Sequence, residues 1–318
     1  MKKYVFGVDL GGTTCKMGLF TTKGDLLDKW EIKTDTSNGG ENILKDIAGA
    51  VHGKMVEKGL KLGDVEGVGI GVPGPVMKDG TVNRCVNLGW GVTPVGKDLA
   101  ALVGLPVKVG NDANVAALGE AWVGAGKNFD SIVMVTLGTG IGGGVIIDNK
   151  ILCGATGAGG EIGHFIVNPN ELEACGCGRY GCIEQYASAT GIARMARKRV
   201  STSPEESLLK EIELDAITAK DVFDAVKKGD HLAGEVAEDV CEMLADVLSK
   251  VSVVVNPDAF VIGGGVSKAG QVLVDMLTEP FMRNVFHACA DTKILLATLG
   301  NDAGIYGAAR QVIEEDKI

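Results

Sequence analysis

The sequence predicts a two-domain α/β protein, and three observations carry that expectation. A Gly-rich strand–turn–strand design occurs twice, in the two halves of the chain. The 47 glycines follow no collagen-like period and cluster at the ends of apolar runs, which suits an α/β enzyme with many backbone-lined turns. The chain's 318 residues, 46% of them hydrophobic, can bury enough core for two domains rather than one.

In chain order, Val5-Phe6-Gly7-Val8-Asp9-Leu10 reads as a strand, Gly11-Gly12-Thr13-Thr14 as a turn, and Cys15 to Phe20 as a second strand. The polar Thr22-Lys23-Gly24-Asp25 then predicts a further hairpin strand. Glu41 to Lys58 is amphipathic, with Ile43, Ile47, Val51 and Met55 on one helical face. Pro106 to Val109 is strand-like, and Asn114 to Val123 is a short helix. The second copy of the design runs from Ile132-Val133-Met134-Val135-Thr136-Leu137 through Gly138-Thr139-Gly140 and out along Ile141 to Ile147. Asp148-Asn149-Lys150 marks its own hairpin turn. This half-chain symmetry fits duplication of one domain rather than a short-period solenoid.

Ser188 to Val200 predicts a helix with Ile192, Met195 and Ala196 turned inward. The charged stretch from Ser201 to Thr218 reads as a surface insertion, with Pro204-Glu205-Glu206 as a helix start. Asp221 to Val255 predicts two helices broken near Gly229-Asp230, and Pro257 ends the second. Phe260-Val261-Ile262 follows as a buried strand, and Gly263-Gly264-Gly265 turns into another helix. The last pattern, Ala303 to Glu314, is a helix able to pack against the first domain. The expected domains are 1–113, completed by 303–318, and 114–302.

A net charge of −10 argues against non-specific nucleic-acid binding, which needs a basic face. The apolar run after the basic start is broken by Asp9 before a signal peptide develops, and no stretch reaches membrane-spanning length. Five of the eight cysteines are scattered singly, which is no disulfide framework and points to a reducing cytoplasm.

Glycine turns let backbone N–H groups approach phosphate oxygens, because no Cβ intervenes. Gly138, Gly140 and Gly143 match G-x-G-x-x-G, yet a dinucleotide turn must open a helix, and here the strand-like Gly144-Val145-Ile146-Ile147 follows. Gly96-Lys97 and Gly126-Lys127 lack the Ser or Thr of a Walker A turn. Both copies fit a phosphate-binding hairpin. Asn111-Asp112-Ala113-Asn114 joins a strand to a helix, so Asp112 is either a helix N-cap or a general base for an acceptor hydroxyl. Cys175, Cys177 and Cys182 lie within eight positions among glycines, and upstream His164 can complete a tetrahedron. Four protein ligands make a closed, structural zinc site. His52, His231 and His287 have no partners at ligand spacing.

Asp9-Leu10-Gly11-Gly12-Thr13 resembles the first phosphate motif of the actin–hexokinase ATPase superfamily. Leu137 to Gly144 resembles its second, and Val261-Ile262-Gly263-Gly264-Gly265-Val266 resembles its adenosine-binding turn. The resemblance implies a duplicated ribonuclease-H-like (actin/hexokinase-type) two-domain fold with an interdomain cleft. It implies ATP and Mg²⁺ as cofactors, held through Asp9, Gly11, Gly12, Thr13, Lys16, Gly138, Thr139, Gly140, Gly263, Gly264 and Gly265. The run Glu161-Ile162-Gly163-His164 with Cys175 to Glu184 resembles the signature of the ROK family of repressors and sugar kinases. With the phosphate motifs, that likeness covers essentially the whole chain and is strongest to the family's ATP-dependent glucose kinases.

What the ROK resemblance implies is phosphorylation of glucose at its 6-hydroxyl, with Asp112 as general base. Asn87, Asn111, Asp112, Glu161, His164 and Glu184 would bind the sugar. His164 would also join Cys175, Cys177 and Cys182 as a zinc ligand. Mannose, N-acetylglucosamine and N-acetylmannosamine are the alternative acceptors, and a sugar-sensing repressor is the alternative class. The first strand begins at Tyr4 and the charge is acidic, so no DNA-binding module is expected. A cytoplasmic homodimer, or a tetramer, at the entry to glycolysis completes the expectation. Trp90 is read as packing rather than sugar stacking.

Overall fold

The computed structural model of the chain describes residues 2–313. In chain order its principal elements are β1 (Tyr4–Leu10), β2 (Thr14–Thr21), β3 (Leu26–Lys33), α1 (Ile43–Glu57), β4 (Val65–Val72), α2 (Val95–Val103), β5 (Val107–Asn111) and α3 (Asp112–Trp122). There follow β6 (Ile132–Leu137), β7 (Ile141–Ile147), β8 (Lys150–Ile151), α4 (Glu184–Ala187), α5 (Ala189–Thr202), α6 (Ala219–Val226) and α7 (His231–Val255). β9 (Ala259–Gly263), α8 (Gln271–Asn284), β10 (Lys293–Leu296) and α9 (Ala303–Val312) complete the order.

These elements form two compact units. The first comprises the chain to Ser131, Gly144–Gly160 and the chain from Thr298; the second comprises Ile132–Gly143 and Glu161–Ala297. The first sheet has the order β3-β2-β1-β4-β5. β1, β2 and β3 form an antiparallel meander, while β4 and β5 run parallel to β1. Side-chain alternation assigns the faces of β1. Phe6, Val8 and Leu10 join the core made with Ile47 and Val51 of α1 and Leu99 of α2. Val5 turns the other way, with Phe20, onto Ile305 and Ala309 of α9.

That second face depends on close backbone approach. A Cβ at Gly7 would strike the Ile305 carbonyl, and one at Gly69 would strike that of Ala308, so α9 lies directly on glycines of β1 and β4. The lead-in to α9 is tied to α3 through the fully buried Glu120. Its carboxylate accepts the N–H groups of Thr298 (3.0 Å), Leu299 (2.8 Å) and Ala125 (2.8 Å). Because α3 packs on α9, residues 114–131, expected in the second domain, belong with the first unit. Gly144–Gly160 joins it as well. The expected extension of the last helix to Glu314, and the domain's end at 318, lie outside the described residues.

The second sheet has the order β10-β9-β6-β7-β8, with β9 parallel to both β6 and β10. Helices α5 to α8 belong to the second unit. The break between α6 and α7 falls at Gly229-Asp230 as the pattern predicts, with Asp230 capping α7 through the Ala233 N–H (2.9 Å). Met195 is only half-buried, unlike Ile192 and Ala196. No helix starts at Pro204-Glu205-Glu206, which corrects that expectation. The Asp230 carboxylate accepts from the Ser207 hydroxyl (3.0 Å) and the Leu208 N–H (2.6 Å), and a 3₁₀ turn capped by Ser207 starts later, at Leu208–Glu211. Leu209 and Ile217 are fully buried, so the stretch is anchored rather than merely solvated. Among the described residues, no helix is long and apolar enough to cross a membrane.

Candidate active site

In the first unit, β1 delivers Asp9 to the mouth of the first glycine turn. The turn is closed by the Gly11 N–H donating to the Thr14 carbonyl (3.1 Å). It is fastened from β3's end by Thr34, whose hydroxyl donates to the Gly11 carbonyl (2.8 Å) and whose N–H donates to that of Thr13 (3.0 Å). Gly304, at the start of α9, makes room for the Asp9 carboxylate: a Cβ there would come within 2.6 Å of the Asp9 Cγ. Lys16 donates to the Asn301 carbonyl (3.2 Å). Asn87 sits in a 3₁₀ turn, Val86–Leu88, and a Cβ at Gly12 would reach ordinary contact with it (3.7 Å). Trp90 is buried and donates its indole N–H to the Gly40 carbonyl (3.2 Å), a packing role as expected.

Burial pushes the Asp9 carboxyl up to about 6, Lys16 pulls it down, and Asp112 pushes it up further. A raised carboxyl pKa means that the folded state holds a proton which the unfolded chain has released. Stability therefore falls as pH rises from about 4 through 6, by up to about 3 kcal/mol. Asp9→Asn should remove that slope and make the protein more stable at pH 7.5. Denaturant unfolding at pH 5 and 7.5 checks this; an unchanged pH slope would show that Asp9 is not strained.

The strand-to-helix junction divides two duties between neighbours. Asn111, not Asp112, is the N-cap of α3: its Oδ1 accepts the N–H groups of Ala113 (3.1 Å) and Asn114 (3.2 Å). Its Nδ2 donates to the Gly74 carbonyl (3.2 Å). Asp112 is the first residue of α3 and accepts the Ala113 N–H through Oδ1 (2.8 Å). A cavity of about 850 Å³ beside this junction is lined by Val76, Thr81, Asn83, Asn111, Asn114 and Gln311.

In the second unit, β6 leads into Gly138-Thr139-Gly140 and β7 leads out. Three groups from the start of α4 to the start of α5 grip the turn. The Ala189 N–H donates to the Gly138 carbonyl (2.7 Å), the Thr190 hydroxyl donates to that of Thr139 (2.6 Å), and Glu184 Oε2 accepts the Ile141 N–H (2.8 Å). Gly264, with φ +83°, packs against the backbone of Leu137 just before the turn. A further cavity of about 320 Å³ lies beside Gly265 and is lined by Ala189, Phe223, Lys227, Gly265, Val266 and Lys268. Phe223 and Lys227 carry no signal in the sequence, where they read as ordinary positions of a helix.

The ligand atoms of His164, Cys175, Cys177 and Cys182 lie within 4.8 Å of one another. Cys177 Sγ is 3.6 Å from Cys182 Sγ, and Cys175 Sγ is 3.9 Å from His164 Nδ1. The edge of a thiolate tetrahedron around zinc is roughly 3.8 Å, from its 2.3 Å Zn–S bonds, so the donors fit such an ion. The other ring nitrogen of His164, Nε2, is 3.8 Å from Glu161 Oε2. Cys175 Sγ is 3.6 Å from Glu184 Oε1. The Arg179 backbone N–H draws the Cys177 thiol down to about 6, whereas burial pushes Cys182 up to about 12. Glu161, His164 and Glu184 thus gather around one loop.

The sequence model of the ROK family matches residues 5–315. A glucokinase from Halalkalibacterium halodurans is 41% identical over 99% of this chain and 96% of its own. One from Thermotoga maritima is 37% identical over 99% and 98%. Among solved structures, a ROK family glucokinase from Streptomyces griseus, in complex with glucose and AMPPNP, matches with a TM-score of 0.75 and 37% identity, over 97% of this chain and 98% of that one. A ROK hexokinase from Thermus thermophilus matches with a TM-score of 0.80 and 31% identity, over 96% of each chain. The matched range includes both glycine turns, the Asn111-Asp112 junction and the cysteine loop, and the chain belongs to the ROK family.

Proposed function

We propose that this chain transfers the γ-phosphoryl group of ATP to the 6-hydroxyl of glucose, releasing ADP and glucose 6-phosphate. The end-to-end likeness to curated glucokinases carries the choice of reaction and sugar. The division of duties at the α3 N-terminus supports the mechanism. With the cap supplied by Asn111, Asp112 is the carboxylate we assign as general base, accepting the 6-hydroxyl proton as the oxygen attacks phosphorus. Asn87, Asn111, Glu161, His164 and Glu184 orient the sugar, so that the attacking oxygen is held in line rather than left to diffuse.

The glycine turns present N–H groups to the phosphates, offsetting charge that shifts toward the leaving ADP. Asp9, with Lys16 nearby, would hold Mg²⁺, which would neutralise phosphate charge. The cavity beside Gly265 suits the adenosine moiety. Zinc held by His164, Cys175, Cys177 and Cys182 would be structural: all four ligand positions are filled by protein, which leaves none for water. The zinc-facing Nδ1 leaves Nε2 of His164 on the side of Glu161, where it can meet a sugar hydroxyl. The setting we propose is a cytoplasmic homodimer that feeds glycolysis.

The test is ADP release with ATP, Mg²⁺ and a panel of hexoses. Glucose is expected to give the highest kcat/KM. A higher value for mannose, N-acetylglucosamine or N-acetylmannosamine would replace glucose as the acceptor while leaving the chemistry intact.

A further inference from the structure

The two phosphate turns share a feature that their glycine patterns do not contain. Each is held from behind by a threonine hydroxyl distant in sequence. Thr34 donates to the Gly11 carbonyl (2.8 Å), and Thr190 donates to the Thr139 carbonyl (2.6 Å). In a trans peptide the C=O and the following N–H point in opposite directions. Anchoring the Gly11 carbonyl on Thr34 therefore sends the Gly12 N–H away from Thr34. Anchoring the Thr139 carbonyl on Thr190 sends the Gly140 N–H away from α5. The Ala189 N–H, bonded to the Gly138 carbonyl, orients the Thr139 N–H in the same way. Glycine makes such a turn possible but leaves it many conformations, so a turn that must present N–H groups to an anion gains from an external anchor.

We propose that Thr34 and Thr190 are positioning residues that pre-set the two turns, aiming the N–H groups of Gly12 and Gly140 at polyphosphate oxygens. The inference rests on the phosphotransfer reading above. Neither hydroxyl touches the phosphate in this account; each acts through the peptide it holds. Thr190 also lies 3.0 Å from the Ser188 hydroxyl, but Ser188 remains the cap of α5 through the Gly191 N–H (3.0 Å) without it. Thr190 is exposed, whereas Thr34 is buried.

The test compares Thr34→Val and Thr190→Val, which keep shape and delete the hydroxyl, with the corresponding Ser variants, which keep it. Binding of AMPPNP with Mg²⁺ is measured by calorimetry, alongside KM for ATP and for glucose. Each Val variant is expected to weaken nucleotide binding by about 3- to 10-fold, the effect of one lost neutral hydrogen bond. Affinity for glucose is expected to change by less than about twofold, and Ser should restore nucleotide affinity. Unchanged AMPPNP affinity in Thr190→Val overturns the proposal, and so does an equal loss in Val and Ser or an equal loss for glucose. Thr190 keeps the comparison decisive if Thr34→Val fails to fold. Failure of the wild-type protein itself to bind AMPPNP would sink the phosphotransfer reading as well, which separates the two outcomes.

Discussion

Asp112→Asn is expected to lower kcat on glucose by about 10²–10⁴-fold, the usual cost of losing a positioned general base, while KM for glucose changes little. The substitution is local. An Asn Oδ1 can still accept the Ala113 N–H that Asp112 Oδ1 accepts at 2.8 Å, and Asn111 still caps α3. What disappears is a carboxylate able to take the 6-hydroxyl proton. A second consequence follows from charge. Because Asp112 helps to hold the Asp9 carboxyl up at about 6, the variant should bring that group closer to its ordinary value. Steady-state kinetics checks the first effect and a pH titration of Asp9 the second. Near-normal turnover would remove Asp112 from the mechanism.

Stripping the metal from the cysteine loop is expected to have the next largest effect. Chelation, or Cys182→Ala, should weaken glucose binding by about 10- to 100-fold, the sum of two misplaced sugar hydrogen bonds of about 1 kcal/mol or more each. His164 is fixed on the thiol side through Nδ1, and Glu184 lies only two residues beyond Cys182. Without the ion, the four donors crowded within 4.8 Å lose their common centre, and on the reading proposed above His164 and Glu184 lose part of what positions them for the sugar. Glu184 also carries the Ile141 N–H, so some loss of nucleotide affinity should accompany the loss of sugar affinity. Metal analysis, melting curves and sugar titration before and after chelation test this. A fully active protein without metal would contradict the zinc assignment.

Much of this site was legible in the sequence because its signals are local. A glycine turn between two apolar runs needs only a few consecutive residues to declare itself, and so does a His upstream of three clustered cysteines. The helices of 43–57 and 219–255 followed from apolar spacing and from the Gly229-Asp230 break. Features set by contacts distant in sequence were not legible. The domain boundary expected at 113 moved because α3 packs on α9, which follows it by about 180 residues and is tied to it through Glu120. The helix expected at Pro204 is replaced by a short 3₁₀ turn at Leu208–Glu211, whose start is fixed by Asp230, a residue more than twenty positions away. Thr34 and Thr190 look like ordinary polar residues until the carbonyls they hold are seen. The Asn111-Asp112 pair was intermediate: the sequence named both duties, and the structure assigned the cap.

The reaction proposed for this chain is phosphoryl transfer from ATP to the 6-hydroxyl of glucose. The most direct measurement follows the protein, ATP, Mg²⁺ and glucose by phosphorus NMR. Glucose 6-phosphate is expected to appear in step with ADP, with no phosphorylated product when 6-deoxyglucose replaces glucose. Inorganic phosphate in place of a sugar phosphate, or a product phosphorylated at another hydroxyl, would contradict it.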